Sequence, residues 1–168
     1  MANKQRAIWE HSCDINDADQ MHKLGIQLGE QFQAGDLILL TGELGAGKTT
    51  LSRGIGEGMG VRGPVTSPTF VLARTHPSLF SGPPLVHVDA YRLQDETEFD
   101  DLDLDFMGSV VLVEWGAGLV ETGDEWLEIT IERPSGASFE TDDIDVESEP
   151  RSLHFAGHGN RWAQGIRI

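Results

Sequence analysis

One stretch limits what this chain can become. Gly42-Glu43-Leu44-Gly45-Ala46-Gly47-Lys48-Thr49-Thr50 fits the pattern G-x-x-x-x-G-K-[ST] at every fixed position. The apolar run Leu37-Ile38-Leu39-Leu40-Thr41 precedes it, and Leu51, Ile55 and Met59 follow at helical spacing. Strand, glycine-rich turn and helix is the setting in which this pattern holds phosphate. Glycines at 42, 45 and 47 let the backbone curl until several N–H groups converge on one anion. The helix opening at Lys48 adds its positive end. Lys48 is placed to bridge the β- and γ-phosphates, and the Thr49 hydroxyl to ligate Mg²⁺. A nucleoside triphosphate site over residues 42–50 is therefore expected.

At 168 residues and 39% hydrophobic content, a single globular domain over residues 1–168 is expected, with chain enough for a sizeable core. No apolar run approaches the roughly 20 residues of a bilayer span, and residues 1–8 lack the apolar block of a secretory signal. Cys13 is the single cysteine, so no intrachain disulfide forms, which suits a reducing cytoplasm. The formal charge of −16 repels a phosphate backbone and makes the chain a poor binder of DNA or RNA by itself. A positive field at the loop survives this, because a loop and a helix end act at short range.

Along the chain, residues 7–13 read as a short edge strand. Asp17 opens a helix in a capping-box-like arrangement with Gln20, Met21, Leu24, Leu28 and Phe32 follow at helical spacing, and Gly35 closes it. The unbroken apolar run at 37–41 suits a central strand buried on both faces. After the loop and a helix to about Gly60, the polar turn Val65-Thr66-Ser67-Pro68-Thr69 feeds an extended segment. Such a turn is either an ordinary loop or a switch whose hydroxyls and amides sense the γ-phosphate. Residues 69–75 and 85–89 read as a hairpin across the turn at 76–84. Phe99, Leu102 and Phe106 within the acid-rich stretch that begins at Gln94 predict a helix with an acidic, solvated outer face. Residues 109–116 and 126–132 read as strands, the second alternating with period two. Residues 133–151 read as a mobile acidic loop, and 152–156 as a last strand.

Two apolar strands end in carboxylates, Asp89 and Glu114. Nucleotide hydrolysis needs Mg²⁺ on the β/γ oxygens, a positioned water and stabilisation of the transferring charge. Glu114 is assigned to Mg²⁺ or its waters and Asp89 to a supporting place or to the attacking water, with those roles exchangeable. Lys48, Glu114 and Asp89 form the catalytic set, and Thr49, Glu114 and Asp89 the metal set. Arg92 is read as an ion-pair partner of neighbouring acids, His87 as a core or supporting histidine rather than a ligand. Trp115 either packs beside the site or belongs to the core. His154 and His158 lack partners at metal-ligand spacing.

Taken in series, the glycine loop, Thr66-Ser67-Pro68-Thr69-Phe70, His87-Val88-Asp89-Ala90-Tyr91-Arg92-Leu93 and Val113-Glu114-Trp115 resemble the TsaE family over roughly residues 15–132 and the final strand. The resemblance implies a small P-loop NTPase fold of the α/β class, with a mixed sheet between helices and antiparallel strands toward the C-terminal end. It implies a cytoplasmic ATPase using ATP and Mg²⁺ in support of the TsaB–TsaD pair, which attaches threonylcarbamoyl to the adenosine beside the anticodon of tRNA. On that footing tRNA is met only indirectly. Lys48 and Thr49 bind phosphate and metal, Glu114 binds metal, Asp89 is required for activity, and Thr66, Ser67 and Thr69 form the nucleotide-sensing switch. Trp115 lies near the nucleotide, and adenine near residues 17–21. The acidic stretch 133–151 is not explained by these motifs.

Two other readings stay open. A small-molecule P-loop kinase would release phosphorylated product, yet Arg53, Arg62, Arg74 and Arg92 form no lid-like cluster. An ATP-dependent protein-binding switch with negligible turnover differs from a slow ATPase in degree.

Overall fold

The structure, a computed structural model, describes residues 6–43, 45–65, 73–93, 95–115, 122–133 and 150–168, and of Arg92 and Glu96 the backbone alone. The chain runs β1 (Trp9–Ile15), α1 (Ala18–Gly29), β2 (Leu37–Gly42), α2 (Lys48–Met59), β3 (Ala73–His76), β4 (Leu85–Asp89), α3 (Glu96–Asp100), β5 (Val110–Glu114), β6 (Trp126–Glu132) and β7 (Arg151–His158). The strands make one mixed sheet in the order β1-β7-β6-β2-β5-β4-β3. β2 pairs parallel with both β5 and β6, and β4 parallel with β5. The outer pairs β1–β7, β6–β7 and β3–β4 are antiparallel.

β2 is buried from Leu37 to Leu40, as a central strand covered on both faces must be. Its pleat divides the core in two. Ile38 and Leu40 join Leu85, Leu112, Leu127 and Ile129 on the face covered by α1 and α2. Leu37 and Leu39 join Val86, Val88, Val111 and Val113 on the opposite face, with Leu93 and Phe99 packed over them.

α1 and α2 lie unusually close, and glycine permits it. A Cβ on Gly25 would sit 2.5 Å from the Leu51 carbonyl oxygen and 2.8 Å from the Gly54 Cα, so the two backbones touch where Gly25 meets Gly54. Asp17 caps α1 as expected, its Oδ1 accepting from the Gln20 N–H at 2.8 Å. The reciprocal bond shifts by one residue: Gln20 Oε1 accepts from the Asn16 N–H at 2.9 Å rather than from Asp17.

Four elements depart from expectation. β1 runs Trp9–Ile15, two residues later at each end than the 7–13 expected. α1 ends at Gly29, not Gly35, and Phe32 turns out of the helix to meet Trp162 edge-on at 6.2 Å. The helix expected from Gln94 is the short α3, because the chain leaves the helix beyond Asp101 and Asp103 takes φ +50°. β7 opens at Arg151, one residue earlier than read, and runs two residues further, to His158. Among the described residues no helix is long and apolar enough to cross a membrane.

Candidate functional site

The glycine loop leaves the end of β2, the strand flanked by two parallel neighbours, where connections to the helix layer converge. Gly45 and Gly47 take φ +80° and +109°, left-handed conformations in which a side chain would be strained. The Ala46 N–H donates back to the Glu43 carbonyl at 3.0 Å, closing the turn, and Gly47 caps α2. Met21, in the first turns of α1, packs against Gly47, bringing that helix beside the loop.

Lys48 is buried, and its ammonium donates to the carbonyls of Gly42 at 2.6 Å and Glu43 at 2.9 Å. Burial pushes it below the ordinary lysine value, and the charges of Glu114 and Asp89 act against that shift. The ammonium also lies 4.3 Å from the centroid of the Trp115 ring, within cation–π reach. Trp115 adopts φ +63°, rare for a bulky residue, with its N–H donating to the Leu40 carbonyl at 3.2 Å. Tyr91 meets its ring edge-on at 5.5 Å.

The two carboxylates come together by register. Asp89 and Glu114 end adjacent parallel strands as direct partners, on the sheet face that carries Ile38 and Leu40. Glu114 is 4% exposed and its Oε2 pairs with His87 Nε2 at 2.8 Å. Asp89 is half-buried and accepts from the Tyr91 N–H at 3.0 Å, fixing the turn of residues 90–92. Lys48, Asp89, Glu114 and Trp115 thus form one cluster around the loop. Thr49 is exposed and Thr50 half-buried on the first turn of α2, and Glu43 is exposed. Leu44, the switch residues Thr66, Ser67 and Thr69, the Arg92 side chain and most of the stretch 133–151 lie outside the described residues.

The structure gives one residue a partner and another a place that sequence reading had not given it. His87, read as a core or supporting histidine rather than a ligand, is both buried and the hydrogen-bond partner of Glu114. Arg151, given no role, holds the loop from β7, donating through Nε to the Ala46 carbonyl at 3.1 Å and through Nη2 to the Gly45 carbonyl at 3.3 Å. No local pattern marks a contact between residues so far apart in the chain. The one signal was an arginine opening an apolar strand, where a charge needs a reason.

Residues 15–140 match the protein family described as threonylcarbamoyl adenosine biosynthesis protein TsaE. The chain is 54% identical over 147 residues to the tRNA threonylcarbamoyladenosine biosynthesis protein TsaE of Streptomyces coelicolor, covering 85% of this chain and 94% of that one. It is 39% identical over 131 residues to the protein of the same name from Bacillus subtilis, covering 76% and 73%. The solved structure of Bacillus subtilis YdiB superposes with a TM-score of 0.66 at 28% identity, over 93% of this chain and 90% of that one. With its P-loop-type fold and the motif series that carries the cluster, this chain belongs to the TsaE family of tRNA threonylcarbamoyladenosine biosynthesis.

Proposed function

We propose that this chain binds Mg-ATP at the glycine loop and hydrolyses it slowly, in the cytoplasm, in support of threonylcarbamoyl transfer to tRNA by a TsaB–TsaD pair. The observation that carries this reading is the buried Lys48 held between the loop carbonyls and the Asp89–Glu114 strand ends. Withdrawing an ammonium from water is costly, a cost that the charges of Glu114 and Asp89 only partly offset, and a phosphate ligand would receive it. Turning Nζ from the Gly42 and Glu43 carbonyls onto phosphate oxygens exchanges neutral acceptors for charged ones, which bind it more strongly.

The residues present suit Mg²⁺ arriving with the nucleotide. Among the described residues no group of three or more His, Cys, Asp or Glu side chains is placed to hold a metal. Mg²⁺ is commonly bound by one or two carboxylates together with substrate phosphates and water, and not by an all-protein cage. Glu114, Asp89 and the Thr49 hydroxyl would supply the protein's share, and the metal would neutralise charge on the phosphates. Glu114 is oriented by His87, Asp89 is held by the Tyr91 amide, and Trp115 shields the lysine from water.

Phosphate release from Mg-ATP, with and without TsaB–TsaD, tests the reading. Weak turnover alone and clear stimulation by the pair is the expected result. Fast turnover indifferent to the pair would remove the partner, and turnover in neither case would leave a nucleotide switch. Lys48→Ala is expected to lower ATP affinity or turnover by at least about a hundredfold, the loss of a charge-assisted contact to phosphate; unchanged binding and hydrolysis would overturn the site.

A further inference from the structure

Arg151 lies beyond residues 15–140, the span the family description matches, yet its side chain bonds the glycine loop. It opens β7 opposite Ile15 of β1 and is 6% exposed, so its guanidinium has been withdrawn from water. A buried cation of this kind must be hydrogen-bonded to be tolerated. Among its hydrogen bonds, those to the described residues include Ala46 O at 3.1 Å, Gly45 O at 3.3 Å and, from Nη1, Pro150 O at 3.4 Å.

Peptide geometry gives those two loop contacts a consequence. No peptide bond described is cis, and in a trans peptide the C=O and the following N–H point in opposite directions. Holding the Gly45 carbonyl therefore sets the Ala46 N–H, which donates to Glu43 O and closes the turn. Holding the Ala46 carbonyl turns the Gly47 N–H away from β7. Gly47 is the left-handed residue that caps α2, and its amide stands first in the row of donors at that helix end.

We propose that Arg151 is a positioning residue for the nucleotide's phosphates, holding the Gly45 and Ala46 carbonyls from behind so that the Gly47 amide faces the ligand. This inference rests on the Mg-ATP reading above. A lysine at 151 keeps the charge but lacks the planar fork that reaches two carbonyls together.

The test measures Mg-ATP dissociation constants by calorimetry for the parent chain, R151K, R151M and Lys48→Ala, with the melting temperature of each nucleotide-free protein. R151K is expected to bind about tenfold more weakly than the parent, the loss of one or two hydrogen bonds, while its melting temperature moves by only a few degrees. At saturating Mg-ATP its turnover is expected to stay nearer the parent's than its KM does, which a general loosening of the fold would not produce. R151M loses charge and donors together and is expected to be weaker still; should it fail to fold, R151K decides alone. R151K binding within twofold of the parent would overturn the inference while leaving the nucleotide site standing. A parent that binds no Mg-ATP would remove the reading and this inference with it, an outcome told apart because R151K is then not the odd one out.

Discussion

Glu114 is the residue on which the local chemistry turns. A carboxylate 4% exposed needs a donor close by, and His87, wholly buried, supplies it. With the carboxylate accepting, Nε2 is the donating nitrogen, and Nδ1 is left as a buried atom without a hydrogen-bond partner among the described residues. One Glu114 oxygen is thereby engaged and the other left to the site. His87→Gln offers an amide donor in place of Nε2–H and is expected to keep most stability and turnover. His87→Leu strands the carboxylate and should cost about 1–3 kcal/mol, with a larger fall in phosphate release than His87→Gln shows. Urea denaturation read beside phosphate release checks both; equal behaviour of the two variants would show that the bond is dispensable. The Glu114 strand end itself was legible, because a carboxylate at the tip of an apolar run is conspicuous. Its pairing with His87 was not, since it depends on neighbouring strands whose register no local pattern specifies.

Among the elements, the contact between α1 and α2 decides how the site is walled. Gly25 faces the α2 backbone with no room for a methyl group, so Gly25→Ala must push the helices apart. The expected cost is about 2 kcal/mol or more, measured as a lower urea midpoint. Because α1 also carries Met21 against Gly47, weaker ATP binding should accompany it. An unchanged midpoint would show that the helices separate freely. The strands and both longer helices were legible from periodicity, caps and the glycine loop. Less so was the extent of helix from Gln94 onward, where Phe99, Leu102 and Phe106 keep helical spacing. Phe99 and Phe106 pack together at 6.0 Å, but a turn brings them there, with Asp103 at positive φ. Apolar spacing reports which side chains reach the core and not the backbone that delivers them.

For the whole molecule, acidity and burial shape stability. Burial pushes the His76 imidazole below its ordinary value of 6.5, and a bond with the Arg62 backbone only partly opposes this. The unfolded chain takes up a proton near pH 6.5 that the folded chain refuses. The stability tied to this group is therefore complete above that pH and declines as the pH falls below it toward the folded value. Urea midpoints at about pH 7.5 and 5.5 should show a steeper fall for the parent than for His76→Gln. Equal slopes would assign the acid limb to other groups. The order of the sheet was the least legible property at this scale: β1 finds its neighbour in β7, and β7 enters between β1 and β6. Such pairings are decided by the collapse of the whole core.

That position of β7 bears on how the protein comes into being. A ribosome makes the glycine loop, both carboxylates and six of the seven described strands before β7 is added, so the edge strand β1 waits without a partner through most of synthesis. Arg151 emerges at the head of that late strand. A nascent chain therefore carries the full nucleotide motif for some time with its loop unbraced, and the braced site and the continuous sheet arrive in the same event.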